Sequence, residues 1–554
     1  MKNRTNRSFR LPCLLGLGFA AAISPAASAA VIRVNAGSPV LGNGASWAQA
    51  MPHLSDALAA AQPGDEIWVV TGSYRPDTSG NTPAGTNDRN ASFTMKNGVR
   101  ILGGFAGTET SSAQRNPAAN PTILTGDIGA QGSNADNSYN IVKAINVNSL
   151  ALLDGFTLKL GNANGGAAPD TTYLGGGIYV TGGAPVISNC RFENNSAFGG
   201  GSISILGGST ARITTCYFTG SYAWSGGCIR AYGVSPVIAD STFEANTGGY
   251  GGAIDLNESA GGRVERCRFI NNHGVNGGAI SAAGFTTTVF DACEFRKNRA
   301  QYLNAFQQRW NGGAVHNWCS GTTWVNCVFN GNTCNGNGGA LYDGGPSGTR
   351  PTVINCTVFG NYSRDGGAIA ADPGHTPLIR NTIVWTNTVS AGDPSLFGGV
   401  VVERSNVQGL SPLTGDNMSI EPQFVSPLGN DGMSATGDEN FSLFGTSPLI
   451  DAGNNTHLPA DIIRDYAGNN RLLDGNADSI ITVDLGAYEF VLPPPPHCYG
   501  DANGDRVVNF ADITNTLSNW GAPGPEGDAD DSGIVNFADI TATLTAWGSN
   551  CNPA

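Results

Sequence analysis

Charge is scarce in this chain. Asp, Glu, Lys and Arg make up 13% of its 554 residues, and beyond Lys2 its lysines are Lys96, Lys143, Lys159 and Lys297. So few cations leave no basic face, which excludes a nucleic-acid footprint. The six histidines, His53, His273, His316, His375, His457 and His497, are scattered. No zinc-ligand spacing and no nucleophile motif is present. After residue 23 no apolar run is long enough to span a bilayer. Apolar residues also lack helical periodicity over most of the chain.

The first residues are patterned differently. Lys2, Arg4, Arg7 and Arg10 precede an apolar run from Leu11 to Ile23, and Ala27-Ser28-Ala29 supplies a small-residue cleavage site. This is the pattern of a secretory signal peptide over residues 1–29, too short in its apolar part to anchor easily in a membrane. The expected location is extracellular, with attachment at a cell surface. The remaining chain carries 43 acidic against 25 basic residues, a net charge of −18. Such a surface disfavours polyanionic partners unless a divalent cation bridges the two.

What is abundant is glycine, 78 residues in all, and it marks a repeat. The signature Gly-Gly-x-(Ile/Val/Leu) recurs at Gly175-Gly176-Gly177-Ile178, Gly200-Gly201-Ser202-Ile203, Gly226-Gly227-Cys228-Ile229, Gly251-Gly252-Ala253-Ile254, Gly277-Gly278-Ala279-Ile280, Gly312-Gly313-Ala314-Val315, Gly338-Gly339-Ala340-Leu341 and Gly366-Gly367-Ala368-Ile369. Most steps are 25 or 26 residues, and one of 35 places an insertion near Gln301–Arg309. A unit of this size cannot bury its own core, but stacked units can. Short strands between Gly and Asn turns predict an all-β fold, a right-handed parallel β-helix. Its coils are expected over 30–400, with an N-terminal cap over 30–75 and regular coils over 175–390.

Fixed columns follow from the stacking. Cys190, Cys216, Cys267, Cys293, Cys327 and Cys356 share one rung position, with Ser241 in the gap, and alternate with inward Phe residues. They read as small buried residues rather than ligands or bridges. Cys319 with Cys334, and Cys498 with Cys551, are the disulfide candidates. Asn195, Asn246, Asn272, Asn298, Asn332, Asn361 and Asn387 share a turn position, with Ser221 replacing one, and are expected to bond coil to coil.

Beyond the coils, residues 401–490 form an Asp/Asn/Gly-rich cap and residues 491–497 a stiff proline linker. The final segment, 498–554, writes one loop twice at an offset of 27 residues. Oxygen-bearing side chains fall at loop positions 1, 3, 5, 9 and 12: Asp501, Asn503, Asp505, Asn509 and Asp512, then Asp528, Asp530, Ser532, Asn536 and Asp539. That spacing wraps hard oxygen ligands around Ca²⁺, one ion per loop. Arg506 stands where the first loop needs a sharp turn and Gly533 where the second does, so the second loop is expected to bind more readily.

These two loops resemble type I dockerin repeats. The resemblance implies two Ca²⁺ sites, with position 7 contributed by the carbonyls of Val507 and Ile534, and a cohesin-type scaffold partner. Ile513, Leu517 and Trp520, and Ile540, Leu544 and Trp547, match the family's helix spacing. Phe510-Ala511 and Phe537-Ala538 depart from its usual polar contact residues. The Gly-Gly-Ala-Ile and Phe-x-x-Asn pairing resembles polymorphic outer-membrane autotransporter repeats. Gly103-Gly104-Phe105-Ala106-Gly107-Thr108-Glu109-Thr110 and Leu153-Asp154-Gly155-Phe156-Thr157 look like the start of secreted β-helix proteins of the pectate-lyase-like kind. Ser447-Pro448-Leu449-Ile450-Asp451-Ala452-Gly453 and Asp484–Phe490 look like a choice-of-anchor Q segment. These resemblances imply architecture more than activity.

The repeat also sorts faces. If the signature Ile points inward, residues one and three further on point outward. The first column holds Tyr179, Arg230, Asp255, His316 and Tyr342, and the second Tyr232, Asn257 and Trp318. Aromatic faces stack on sugar rings and polar groups bind hydroxyls, so this face reads as a groove for a polysaccharide or cell-surface glycan. Arg230, Asp255 and His316 are the expected working residues. Tyr179, Tyr232, Asn257, Trp318 and Tyr342 are the expected substrate contacts. Asp240–Arg266 and Arg268–Glu294, neighbours on successive rungs, read as surface ion pairs of little energetic weight. The leading function is carbohydrate-directed: binding an extracellular polysaccharide, with cleavage left open and, if present, that of a lyase or a hydrolase. The rival is a non-catalytic adhesin or structural protein.

Overall fold

The computed structural model describes residues 29–492 and 499–548, apart from positions 40, 167–170, 302–308, 347–349, 391, 506, 524–526, 531 and 533. The proposed signal segment, most of the proline linker, Cys498, Cys551, Arg506, Gly533 and most of the inserted loop lie outside the described residues.

From Val31 to Val407 the backbone winds as a parallel β-helix. Each regular coil gives one short strand to each of four sheets, as in Val186–Ser188, Arg191–Glu193, Ser196–Gly199 and Ile203–Leu206. Numbered in that order, sheet 1 has thirteen strands, sheet 2 twelve, sheet 3 nine and sheet 4 eleven among the described residues. The register keeps like residues in line. Phe192, Phe218, Phe243, Phe269, Phe295 and Phe329 pair in succession on sheet 2. Their rings stack inside the coil at 4.6–4.9 Å, within 9° of parallel. Fully buried aromatic area of this kind dominates core energetics.

Sharp corners separate the sheets. Between sheets 1 and 2 the residue preceding the cysteine column is left-handed: Asn189, Thr215, Asp240, Arg266, Ala292, Asn326 and Asn355 have φ of 48–55°. The cysteine thiols close this corner by donating to the carbonyl two residues back, as in Cys267 to Glu265 (3.3 Å), Cys327 to Val325 (3.2 Å) and Cys356 to Ile354 (3.2 Å). Ser241 makes the same bond to Ala239 at 2.8 Å, and Thr382 and Ser405 carry the pattern onward. The column is thus a set of small corner-closing donors. At the corner before sheet 4 glycine is obligatory: Gly226 has φ 66°, and a Cβ there would lie 2.1 Å from the Ile229 carbonyl oxygen.

Between sheets 2 and 3 the asparagines form a continuous ladder. Each Nδ2 donates to the next Oδ1 at 2.9–3.0 Å from Asn246 to Asn387.

Two expectations need correction. All nine described cysteines are free, Cys319 and Cys334 included. Cys334 lies in a strand of sheet 3, whereas Cys319 is the left-handed residue (φ 51°) just after the sheet 4 strand Val315–Trp318, and each thiol is committed to a carbonyl, Cys319 to Pro346 (3.1 Å) and Cys334 to Asn337 (3.4 Å). The coils continue past 390, because Val401–Glu403 and Asn406–Val407 still pair on sheets 1 and 2. The segment after them first covers the end of the solenoid, with Leu410 against the core and Val407 N donating to Met418 O at 2.9 Å, and then leaves it. It lies along the outer face of sheet 2, where Phe441, Leu443, Leu449, Ile450 and Leu485 pack on Val328, Phe359, Ile383 and Trp385. At the other end helix α1, Leu54–Ala60, buries Leu54, Ala57 and Leu58 in the first coils.

The C-terminal module has helices α2, Phe510–Ser518, and α3, Phe537–Thr545. Its two halves exchange equivalent bonds. Gly500 N donates to Ala529 O (2.8 Å) and Gly527 N to Ala502 O (3.0 Å). Thr516 Oγ1 donates to Gly527 O and Thr543 Oγ1 to Gly500 O, both at 3.0 Å. The sequence duplication is therefore a pseudo-twofold in space. Among the described residues no helix is long and apolar enough to cross a membrane.

Candidate functional site

Arg230, Asp255, Ser281, His316 and Tyr342 occupy consecutive rungs of sheet 4 in register. The column faces outward but is not open. Asp255 is 2% exposed, His316 7%, and Tyr179 and Tyr342 are also buried. The cover comes from the neighbouring sheet. Ser225 of sheet 3 donates its hydroxyl to Asp255 Oδ2, and the Arg230 side chain lies over Gly199, where a Cβ would meet its Cδ at 2.7 Å. Side chains of both sheets touch across the glycine corner, so the corner is re-entrant. The column points outward, as the alternation implies, but it is covered rather than open to solvent. Of the second column, Tyr232 and Trp318 are exposed, each 41%, and Asn257 is half-buried.

Electrostatics follow from the cover. Burial pushes the Asp255 carboxyl above the usual carboxylate range, while the hydroxyl dipoles of Ser225 and Ser281 and the charge of Arg230 pull the other way. Its Oδ1 accepts no hydrogen bond from the described residues. Burial lowers the His316 imidazole to about 4, opposed by Asp372, so the ring is neutral at pH 7. Its Nδ1 is buried without a partner among the described residues. The ring stacks between Trp318, at 5.7 Å, and Tyr342, at 5.4 Å. The Arg230 guanidinium lies 4.5 Å from the Tyr232 ring centre, a cation–π contact. Burial, then Asp372, raises the Tyr342 phenol.

The rungs set the chemistry available. Asp255 and His316 are separated by Ser281, about 10 Å at about 4.8 Å per rung. They cannot share a proton directly. The corner brings the three working residues onto one line without joining them into an acid–base pair.

Sheet 3 adds residues that the columns of sheet 4 do not contain. Phe198, Tyr222, Trp224 and Tyr250 are exposed on its outer face. Trp224 and Tyr250 meet edge to face at 5.8 Å, and Tyr173 leans on Phe198 at 5.7 Å. A cavity of about 420 Å³ opens among Asn162, Asn164, Tyr173, Ser196, Phe198 and Tyr222. The signal was in the sequence. In Ser196-Ala-Phe-Gly and Tyr222-Ala-Trp-Ser the large residues alternate with the small ones that point inward.

In the C-terminal module, carboxylate oxygens of Asp528, Asp530 and Asp539 lie within 4.8 Å of one another, a donor set suited to a hard cation. Asp501, Asn503, Asp505 and Asp512 occupy the equivalent first loop, with Asn503 N and Asn509 N donating to Asp512 at 3.0 and 2.8 Å. Asn509 and Asn536 cap α2 and α3, and each donates Nδ2 to the position-7 carbonyl, Val507 (2.8 Å) or Ile534 (2.9 Å). Ser532 donates to the Ile534 carbonyl at 3.3 Å. The helices turn Phe510, Leu517 and Trp520, and Phe537, Leu544 and Trp547, toward solvent and bury Ala and Thr side chains instead.

Comparison with known proteins bears on the coils. A right handed beta helix region matches residues 171–333, and a Chlamydia polymorphic membrane protein repeat matches 326–343. The coils are those of a right-handed β-helix. Among solved structures, the chain is similar to pectate lyase Pel9A, at 18% identity and a TM-score of 0.46, over 84% of this chain and 97% of that one. A rhamnogalacturonan lyase gives 13% and 0.30 over 76% and 96%. An endo-xylogalacturonan hydrolase from Aspergillus tubingensis gives 12% and 0.25 over 67% and 92%. No curated protein matches.

Proposed function

We propose that this chain is a secreted, carbohydrate-directed β-helix protein that holds an extracellular polysaccharide along the re-entrant corner between sheets 3 and 4. The observation that carries the reading is the set of exposed aromatic side chains, Phe198, Tyr222, Trp224 and Tyr250 on sheet 3 and Trp318 on sheet 4, beside the half-buried Arg230 and the buried Asp255. Exposed aromatic patches of this kind on a soluble surface mark contact sites. Sugar rings stack on the aromatic faces, and Arg230, Asn257 and Ser225 orient hydroxyls. The net charge of −18 beyond the signal segment favours a neutral glycan over a polyuronate. The C-terminal module serves as a Ca²⁺-dependent dockerin-like tether to a cohesin-type scaffold, with Asp528, Asp530 and Asp539 and their first-loop equivalents as ligands.

A second reading, a non-catalytic adhesin, is favoured by the two-rung separation of Asp255 and His316. A glycan array combined with assays for reducing ends and for unsaturated products separates the two. Unsaturated products establish a lyase, reducing ends alone a hydrolase, and binding without turnover the adhesin. An array without any bound glycan contradicts both.

A further inference from the structure

A second polar cavity, remote in sequence from the corner, lies where the 401–490 segment crosses sheet 2. Its floor is a rung column: Arg268 pairs with Glu294, which pairs with Val328, and Asn330 stands two residues on. Its wall is the Gly437–Phe441 stretch with Tyr466 and Tyr488. The two sides are pinned together, because Arg296 Nη1 donates to Thr436 O at 2.7 Å. The cavity volume is about 180 Å³. That is room for about six waters at about 30 Å³ each, or for one sugar ring. Ligand pockets for larger molecules start at about 300 Å³.

The lining is built for a hydroxylated guest. Glu294 takes Arg268 at 2.7 Å and Arg296 at 2.8 Å, and Glu439 takes the Gly437 backbone at 2.9 Å. Both carboxylates are therefore already held in place, with lone pairs to spare. Asn330 is 2% exposed, yet its Oδ1 has no hydrogen-bond partner among the described residues. Buried polar atoms without partners are uncommon in folded proteins. Tyr466 and Tyr488, 5.1 Å apart and inclined at 57°, present two ring faces. Neither hydroxyl has a hydrogen-bond partner among the described residues. Burial raises both phenols, so both remain protonated donors at neutral pH. Glu294 and Glu439 are balanced by Arg268 and Arg296, so the groups around the cavity carry no net charge, which matches an uncharged sugar. With both carboxylates engaged by guanidinium or backbone donors, a bare cation is a poor fit.

We propose that this cavity is a second carbohydrate site, taking a single neutral hexopyranose unit through Arg268, Glu294, Asn330, Glu439, Tyr466 and Tyr488. The inference rests on the carbohydrate-directed reading but not on the corner, which uses none of these residues. The test is saturation-transfer NMR on the full chain, with methyl β-D-glucopyranoside, methyl β-D-galactopyranoside and methyl α-D-galactopyranosiduronate as probes. Transfer to at least one neutral glycoside and none to the uronate is expected. The double variant Y466F/Y488F is expected to weaken that binding at least tenfold at an unchanged melting temperature. If it melts early, E439Q replaces it with the same expectation. The corner variant W224A/W318A is expected to leave the signal intact. Absence of transfer from both neutral probes, binding of the uronate alone, undiminished affinity in the tyrosine or Glu439 variant, or loss in the corner variant overturns the second site. Loss of polymer binding in the corner variant with the monosaccharide signal intact separates the two sites.

Discussion

Asn298 donates its side-chain amide to Asn332 Oδ1 at 2.9 Å, although 34 residues separate them. The ladder therefore crosses the inserted loop without losing register. Asn298 also accepts from the Asn272 backbone and side chain at 3.0 Å and donates to Phe269 O at 2.8 Å. Asn298→Ala orphans the Asn272 N–H and the Phe269 carbonyl in the interior, at about 1–3 kcal/mol for each group left unsatisfied. A clear fall in the urea midpoint is expected. Asn298→Ser is expected to be milder, because Ser221 occupies this column natively and bonds Ser202 at 2.8 Å. Equal midpoints for wild type and the alanine variant contradict the ladder's role.

The phenylalanine stack makes a parallel prediction. Phe243 lies fully buried between Phe218 and Phe269. Phe243→Ala leaves a cavity that the adjacent rings cannot fill without leaving their rungs, costing about 3–5 kcal/mol. Phe243→Leu is expected to lose much less. Denaturant titration of the two variants checks the ordering.

The segment over sheet 2 carries a pH signature. Burial pushes the Glu489 carboxyl up to about 9, with Arg471 opposing and Asp484 adding to the rise, and Asp484 itself to about 6. Arg471 is fully buried, 3.5 Å from Glu489. Folded Glu489 keeps its proton to about pH 9 while the unfolded chain loses it near 4.5, so its contribution falls as pH rises between those values. Asp484 completes its change by about pH 6. His316, lowered to about 4, acts the other way and only below its unfolded value of 6.5. Between pH 7 and 8 the Glu489 effect stands clear of both. Melting temperature is expected to fall over that interval in the wild type and less in Glu489→Gln. Identical slopes contradict the assignment.

Calcium is predicted to hold the C-terminal module together. Chelation of the full chain is expected to expose residues 499–548 to protease, and added Ca²⁺ to restore protection. Calorimetry should resolve two sites. Asp528→Ala is expected to remove the tighter one, and Arg506→Gly to strengthen the weaker. Protection that survives chelator contradicts the metal sites.

The coils were legible because a stacked fold repeats its constraints. Glycine at Gly226 is forced by a carbonyl 2.1 Å from any Cβ, and the Asn and Phe columns recur wherever the same contacts do. What was not legible is what happens between coils and around them. Asp255 and His316 do leave the core, as alternation required, but sheet 3 folds over them, and alternation within one strand does not report a neighbouring sheet. The outward Phe198, Tyr222 and Trp224 were readable by the same alternation in a strand with no Gly-Gly signature to flag it. Arg268–Glu294 looked like an ordinary surface pair because nothing local says that a segment beginning about 130 residues later will cross it. The Cys319–Cys334 pairing failed for a related reason: nearness in sequence says nothing of which sheet each strand joins.

The central claim is that the corner between sheets 3 and 4 binds glycan. Affinity electrophoresis through gels containing the polysaccharide identified on the array tests it most directly. Wild type is predicted to be retarded, and Arg230→Ala, Asp255→Ala, Trp318→Ala and Trp224→Ala, each with the far-ultraviolet spectrum of the folded chain, to migrate as in a glycan-free gel. Retardation of all four variants equal to the wild type contradicts the account.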